Sequence, residues 1–178
     1  SPEGQPNGLA AGPDGRFFVS DAKDELVRVF DPKGKSLSVV GKPGGVKPGP
    51  YDPLKFHHPS GLTVSNGLLW VTEDDRWQPK RLAAFDATTG EVRKEYFGPT
   101  NYGAQGAGMD PLDESQWIGQ GTLFKVDMKE RKATPVSVLG GESGRRHTYY
   151  RQDGRTFIIT SGKATYVQEL LPNGTLKH

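Results

Sequence analysis

The stretch that decides the fold is Pro59-Ser-Gly-Leu-Thr-Val-Ser-Asn-Gly-Leu-Leu-Trp-Val-Thr-Glu73, followed after a polar loop by Arg81-Leu-Ala-Ala-Phe-Asp-Ala-Thr-Thr-Gly90. Short apolar runs lie between turn signals, and no window keeps the 3.6-residue period of an amphipathic helix. The pattern is strand, Asn-Gly turn, strand, loop, strand and glycine turn. It predicts a small antiparallel sheet.

The same order of turns recurs along the chain. The first-turn signals lie roughly 40 to 52 residues apart and are Asp14-Gly15, Asn66-Gly67, Asp113-Glu114 and Asp153-Gly154. A period in the 40s with four strands per unit is typical of propeller blades. We therefore predict an all-β chain, a β-propeller segment of four-stranded antiparallel blades, over residues 1–178. The four blades are expected at about 5–41, 57–98, 106–140 and 145–178, with an inter-blade loop at 42–56. A β-sandwich of similar hairpins is the alternative.

Composition agrees with many short strands and turns. Of the 178 residues 33% are hydrophobic, and there are 24 glycines and 14 prolines. The absence of cysteine excludes disulfides and thiol catalysis. The sequence has no apolar run long enough to span a membrane, so no membrane partner is expected. The net charge is only +2 and forms no long basic tract, so nucleic acid is not an expected partner.

Two stretches carry a family resemblance. The first is Val40-Gly-Lys-Pro-Gly-Gly-Val-Lys-Pro-Gly-Pro-Tyr-Asp-Pro-Leu-Lys-Phe-His-His-Pro-Ser-Gly-Leu-Thr-Val64, and the second is Pro6-Asn-Gly-Leu9 followed by Asp14-Gly15. Both resemble the NHL-repeat signature, a Gly-spaced inter-blade loop followed by Pro-x-Gly-Leu at the innermost strand. The chain is also similar to the SMP-30/gluconolactonase and strictosidine synthase-like propellers. The resemblance is specific for fold and says little about function.

The resemblance implies rings of six or seven blades, whereas the sequence supplies about four. An unclosed ring leaves an apolar blade face and a sheet edge exposed, and both favour association. Three readings are open: a segment of a longer protein, a ring completed by homo-oligomerisation, or a closed four-bladed monomer.

Propeller topology sorts the connections into two faces. The tight turns between the first and second strands and between the third and fourth strands of each blade form one face, called here the turn face. The loops between second and third strands and the joins between blades form the other, the loop face. Loops longer than a turn requires are where binding residues concentrate, so the loop face is the predicted binding face.

The predicted ligand-binding residues are the aromatic, imidazole and guanidinium side chains of the loop face. Trp77 follows three carboxylates and suits stacking on a sugar or a peptide side chain, while Trp70 and Trp117 lie inside strands and are expected in the core. His57 and His147 precede innermost strands, where an imidazole can bind a metal or act as a base. Because adjacent side chains point apart on an extended chain, only one of His57 and His58 is expected to face the site. The complete set is Tyr51, His57, Arg76, Trp77, Tyr102, Arg146 and His147.

The gluconolactonase resemblance implies a metal held by the Asn of a Pro-Asn-Gly motif, which Asn7 matches. The corresponding position of the second blade is Ser60, a poor ligand, so no metal site is predicted and Asn7 is the weak candidate. Three carboxylates at residues 73–75 could hold Ca²⁺, but nearby cations neutralise them.

We therefore expect a non-catalytic binding scaffold for a carbohydrate or a protein segment, with no cofactor and an extracytoplasmic location implied by the family alone. One alternative is a metal-assisted lactonase, hydrolase or lyase that uses Ca²⁺ or Zn²⁺. The other is a purely structural, self-assembling propeller fragment.

Overall fold

The computed structural model describes residues 4–73, 80–98, 108–119, 121–139, 146–161 and 165–177, and for Arg146, His147 and Ser161 the backbone alone. In these ranges every regular element is a β-strand. A helix able to span a bilayer does not occur within them.

The first half of the chain forms two sheets. The strands of the first are β1 (Pro6–Ala11), β2 (Phe17–Asp21), β3 (Leu26–Phe30) and β4 (Ser36–Val40). A two-residue strand, β5 (Gly49–Pro50), follows in the join between blades. The second sheet contains β6 (Pro59–Ser65), β7 (Leu68–Glu73), β8 (Lys80–Asp86) and β9 (Val92–Gly98). Each four-stranded sheet is an antiparallel meander in chain order.

The second half repeats the arrangement. The third sheet contains β10 (Gly108–Asp110), β11 (Asp113–Gly119), β12 (Thr122–Asp127) and β13 (Lys132–Val138), with β5 paired to the outer edge of β13. The fourth contains β14 (Arg146–Gln152), β15 (Arg155–Ser161), β16 (Thr165–Leu170) and β17 (Leu176–Lys177). Four successive meanders of four antiparallel strands confirm the predicted fold class, an all-β chain with a β-propeller fold. Within the described ranges, no sheet closes into a ring.

The hairpin turns follow from local residue chemistry. Asn66 and Gly67 both have positive φ (51° and 72°), as do Asp153 and Gly154 (49° and 73°). A two-residue type I′ turn needs positive φ at both central positions, which Asn, Asp and Gly tolerate best. These turns are the ones that the Asn-Gly and Asp-Gly signals predicted.

Two details of the third sheet differ from the sequence prediction. The turn between β10 and β11 lies at Pro111-Leu112, because Asp110 pairs with Asp113, so Asp113-Glu114 begins a strand instead of forming the turn. The residues of β5 were expected to be loop alone, yet Gly49 and Pro50 pair with Val138 and Ser137. The β5 pairing has no signal in the local sequence, because its partners in β13 are distant in the chain. The turn between β10 and β11 is local, but the neighbouring Asp113-Glu114 is the stronger turn signal.

The described residues divide into two compact units. The first unit contains β1–β4 and β6–β9, with residues 4–46, 52–73 and 80–98. The second contains β5 and β10–β17.

The core of the first unit lies between its two sheets. Its ten buried side chains are Phe18, Val27, Val29, Val40, Phe56, Leu69, Val71, Ala83, Phe85 and Ala87. The two innermost strands approach so closely that a Cβ on Gly8 would lie 1.8 Å from the carbonyl oxygen of Ser60. Glycine at position 8 therefore permits the packing of β1 against β6.

The core of the second unit is smaller among the described residues. Its buried members are Ile118, Leu123, Leu139, Tyr149 and Ile158. Tyr149 is buried while Tyr150 is about half exposed, as strand alternation predicts. Trp117 was expected in the core, but 36% of its surface is exposed and its indole Nε1–H donates to the Glu114 carbonyl. Trp70 is also only partly buried and stacks on Tyr96.

Candidate functional site

The join that precedes β6 is anchored in the core of the first unit. Phe56 is fully buried, and its ring centroid lies 5.2 Å from that of Phe85. Gly41 has φ of 97°, and a Cβ there would come within 2.4 Å of the Phe56 ring. The aromatic ring thus occupies space that any side chain at position 41 would need.

Hydrogen bonds hold the rest of the join in place. The Lys42 backbone N–H donates to the Leu54 carbonyl at 2.7 Å, and the Val46 N–H donates to the Phe56 carbonyl at 3.1 Å. The Lys42 ammonium also lies 2.7 Å from the carboxylate of Asp52. A connection of this length is therefore a packed structure that fixes the residues at its end, His57 and His58.

Those two histidines converge with a carboxylate from the loop between β2 and β3. One potential ligand atom each from Glu25, His57 and His58 lies within 4.8 Å of the other two. The Nδ1 of His57 is 3.4 Å from Oε1 of Glu25. The rings of His57 and His58 stack, with centroids 5.3 Å apart and planes inclined by 27°. We call these three residues the imidazole–carboxylate cluster.

Unusual backbone conformations assemble the cluster. Glu25 (φ 54°) and His58 (φ 47°) are both in the left-handed region, which few residues other than glycine adopt and in which Asn, Asp and His are enriched. Such conformations persist only where the surrounding structure enforces them, and they concentrate at functional sites. Two of the three cluster residues share this feature.

The expectation that only one of His57 and His58 faces the site is wrong. It assumed an extended chain, on which neighbouring side chains diverge. The left-handed φ of His58 breaks that geometry and brings both rings to the same side.

The backbone of the join also contacts the cluster. A Cβ on Gly45, whose φ is 60°, would lie 1.2 Å from the Glu25 carboxylate. The Gly44 N–H donates to the Asp24 carbonyl in the adjacent loop at 3.3 Å. Glycine at position 45 therefore lets the join pass directly against the carboxylate.

A buried ion pair lies behind the cluster. Arg81 donates from Nη1 to Glu73 at 2.5 Å, from Nε to Glu95 at 2.8 Å and from Nη2 to the Pro53 carbonyl at 2.5 Å. Its guanidinium lies over the rings of Phe56 and Phe85. The Arg81 and Glu73 side chains are 3% and 8% exposed, so the pair is removed from water.

Glu73 connects this pair to the cluster, because its carboxylate accepts a hydrogen bond from the backbone N–H of His57. Burial raises the pKa of the Glu73 carboxyl above its ordinary value, while Arg81 and the His57 N–H act in the opposite direction. The Arg81–Glu73 pair thus helps to position the His57 backbone.

The first sheet has a second buried carboxylate at the corresponding strand end. Burial alone would raise the pKa of Asp21, but hydrogen bonds from Arg28 and from backbone N–H groups lower it to about 2. The N–H donors are those of Gln5, Lys23 and Asp24. Asp21 therefore stays ionised and caps the loop that carries Glu25.

The cluster contains a ligand set that suits a transition metal. Two imidazoles and one carboxylate are the three protein ligands of several open zinc sites, in which the fourth position holds water or substrate. Tetrahedral zinc with ligand distances of 2.0–2.1 Å keeps ligand atoms about 3.3 Å apart. Side-chain rotations would have to shorten the widest separation from 4.8 Å to that value.

The structure describes only some of the predicted binding residues. His57 belongs to the cluster in the first unit, whereas Tyr51 belongs to the second unit, where its N–H donates to Val136. Arg146 and His147 lie at the start of β14, at the loop-face end, without described side chains. Arg76, Trp77 and Tyr102 lie outside the described residues.

Asn7, the weak metal candidate, is exposed at a bulge in β1. The group of His, Asp and Glu side chains that converges among the described residues is Glu25, His57 and His58. Sequence reasoning missed Glu25, whose available signal was its position in the loop after a second strand, on the loop face. Glu73 was considered only as one of three carboxylates neutralised by nearby cations, and it pairs with Arg81.

The second unit has a cavity of about 480 Å³ near its turn face. Its basic lining includes Arg151 and Arg155, which pair with Asp110 and Glu169 respectively. Because both guanidinium groups have carboxylate partners, the cavity gives little support for an anion site.

No protein-family model matches the chain, and no curated protein matches it. Among solved structures it is similar to hydrazine synthase of Kuenenia stuttgartiensis, with 15% identity and a TM-score of 0.42 over 94% of this chain and 54% of that chain. It is similar to streptogramin B lyase, with 13% identity and a TM-score of 0.42 over 99% of this chain and 55% of the other. U3-55K gives 14% identity and a TM-score of 0.41 over 98% and 51%.

The chain spans about half the length of these solved chains. Likenesses with such TM-scores carry no argument about activity. The β-propeller fold therefore rests on the strand topology described above.

Proposed function

We propose that the protein is an NHL-type β-propeller binding module whose ligand, a carbohydrate or a peptide segment, binds on the loop face of the first unit. The observation that carries the proposal is the convergence of Glu25, His57 and His58 on a rigid support. Pre-organised polar groups lose little conformational entropy when a ligand binds. The cluster offers a carboxylate acceptor and two flat imidazoles, which suit the hydroxyl groups of a sugar or the backbone of a peptide.

The support of the cluster favours binding over a purely structural role. Two residues adopt left-handed backbone conformations, and buried carboxylates stand behind both loops that contribute. His58 is exposed, so the cluster is open to a ligand from solvent. The sequence prediction adds Trp77, which lies between β7 and β8 in the chain, as a stacking residue.

The test is a glycan array and a peptide array, each followed by calorimetric titration of any hit with and without a chelator. We expect His58→Ala to weaken binding at least about tenfold, since a polar contact at a binding centre contributes more than 1 kcal/mol. Lys33→Ala is the matched control, because Lys33 is an exposed residue in a turn-face hairpin. Absence of any hit, or a hit that depends on Lys33 and not on His58, would contradict the proposal.

A second candidate function, self-association through a blade face, is favoured by a separate observation. One face of the first sheet exposes Leu9, Phe17, Leu37 and Val39. The equivalent positions of Leu9 and Phe17 in the second sheet are Leu62 and Leu69, which pack into the core against the first sheet. The exposed face thus has the composition of a blade face that another blade covers.

We infer that a second copy of this chain covers that face, since the low net charge of +2 opposes self-association only weakly. Light scattering after size exclusion should give twice the 19.4 kDa chain mass. Val39→Asp should return the mass to one chain, whereas Leu112→Asp, at a 77% exposed turn residue, should not. A single-chain mass for the unmodified protein would exclude the dimer.

A further inference from the structure

We propose that Glu25, His57 and His58 bind one divalent transition-metal ion of the zinc class. The proposal concerns the site of the proposed function and deepens it by naming an inorganic ligand, but it can be tested without any sugar or peptide. The residues belong to two connections that the fold brings together: the β2–β3 loop supplies Glu25, and the join before β6 supplies both histidines.

The geometry carries the proposal. Three potential ligand atoms already lie within 4.8 Å of one another, and the rings of His57 and His58 are stacked on the same side of the chain. Two neutral imidazoles and one carboxylate select zinc or a similar ion over calcium, which prefers six or more oxygen ligands. The charge of the carboxylate also offsets part of the charge of the ion.

The surroundings of the cluster hold these ligands in place. Glu73 accepts a hydrogen bond from the His57 backbone, and Gly45 closes against Glu25. Groups that fix the orientation of metal ligands typically change metal affinity 10- to 100-fold when they are removed. The side chain of His57 is 29% exposed and that of Glu25 is 20% exposed, but the Nδ1 atom of His57 is buried, so solvent reaches the cluster on the side of the exposed His58.

Three protein ligands leave a coordination position open. In zinc proteins an open position holds water or a ligand, whereas purely structural sites are closed by four protein ligands. The proposed ion would therefore present a Lewis-acidic position toward a carboxylate, hydroxyl or carbonyl group of a bound ligand. This property would give the loop face a preference for oxygen-bearing ligands.

The test uses the whole chain after removal of metal by a chelator and titrates it with Zn²⁺ alone in a calorimeter at pH 7.5. We expect one ion per chain with a dissociation constant below about 10 µM, which corresponds to about 7 kcal/mol of binding free energy. Glu25→Gln, His57→Ala and His58→Ala should each weaken binding at least about 100-fold, more than the loss of an outer-sphere partner.

The matched control is Glu130→Gln. It neutralises an exposed carboxylate in the turn between β12 and β13, outside the cluster, and it should bind Zn²⁺ like the unmodified protein. Far-ultraviolet circular dichroism checks that each variant is folded. If His57→Ala does not fold, His58→Ala tests the Zn²⁺ proposal, because His58 is the exposed residue of the cluster.

Three outcomes would overturn the inference: no Zn²⁺ binding by the unmodified protein, binding that survives all three cluster substitutions, or binding lost in Glu130→Gln. A failure of the glycan and peptide arrays with intact Zn²⁺ binding would refute only the proposed function. Array hits that persist with a chelator and without any Zn²⁺ binding would refute only the metal site.

Discussion

The two units hold their most buried ion pairs at opposite ends of their strands. In the first unit, Asp21 and Glu73 end β2 and β7 and pair with arginines of the following strands, so their charges stabilise the loop face. In the second unit, the corresponding strand ends are Gly119 and Ser161. Its Arg151–Asp110 pair joins β14 to β10 beside the hairpin turns.

The difference indicates where each unit requires precise geometry. Buried charges are costly unless their partners are well placed, so they fix the structure around them. In the first unit that rigidity supports loops that carry Glu25, His57 and His58. In the second unit it supports tight turns. This contrast supports our proposal that the functional site lies in the first unit.

Arg81→Met should have the largest effect on stability. It leaves Glu73 buried without its cation, and breaking a buried pair in this way costs about 3–5 kcal/mol. The free energy of unfolding from urea titration measures the loss. Arg93→Ala, an exposed arginine on the same sheet, should cost less than about 1 kcal/mol. A loss below about 1 kcal/mol for Arg81→Met would show that the pair does not fix the loop face.

Arg151→Ala should have the next largest effect, a loss of about 3 kcal/mol of unfolding free energy, because it leaves the fully buried Asp110 carboxylate of the second unit without its cation. The variant should bind Zn²⁺ normally, since the ion pair supports the turn face of the other unit. Urea unfolding and Zn²⁺ titration of the same sample test both statements. Loss of Zn²⁺ affinity in the folded variant would contradict the proposal that this ion pair supports the second unit and not the metal site.

Asp21→Asn should remove part of the acid sensitivity. The folded pKa of Asp21 is about 2, below the ordinary 3.8, so ionised Asp21 stabilises the fold above about pH 4, and this contribution is lost as the pH falls toward 2. The shift corresponds to about 2 kcal/mol at pH 7. Unfolding free energies measured at pH 7, 4, 3 and 2 should decline less steeply in the variant. Identical pH profiles would contradict the assignment.

Gly45→Ala should weaken Zn²⁺ binding without costing more stability than a matched glycine substitution elsewhere. Glycine at positive φ costs about 1 kcal/mol to replace, and Gly34→Ala is the matched control because its φ is also positive and its Cβ would meet nothing within 4 Å. Both variants should lose similar stability. Only Gly45→Ala should weaken Zn²⁺ binding, since its Cβ would displace the Glu25 carboxylate. Equal affinities for Zn²⁺ in the two variants would contradict this.

The fold could be predicted because its signals are local. Asn66-Gly67 and Asp153-Gly154 specify type I′ turns whatever surrounds them, and the spacing of such turns gives the number of sheets. The turn at Pro111-Leu112 was missed because Asp113-Glu114 is the more obvious turn signal. The core positions of Trp70 and Trp117 were wrong because alternation gives the face of a strand but not whether another sheet covers that face.

The site could be predicted only in part. His57 was predicted from its place before an innermost strand, and the structure places it in the imidazole–carboxylate cluster. Glu25 was missed because its proximity to His57 depends on the path of residues 42–58, and that path depends on the burial of Phe56. The orientation of His58 depends on a left-handed φ that the sequence does not encode locally. Tyr51, Arg76, Trp77, Tyr102, Arg146 and His147 stay predictions from sequence.

Anomalous scattering tests whether Glu25, His57 and His58 bind a metal ion. Crystals grown with Zn²⁺ are measured on both sides of the zinc absorption edge. We predict one strong peak per chain, 2.0–2.2 Å from ligand atoms of Glu25, His57 and His58. A peak elsewhere, or none at the cluster while the protein is saturated with Zn²⁺, would show that these residues form an ordinary ion pair and a stacked pair of rings.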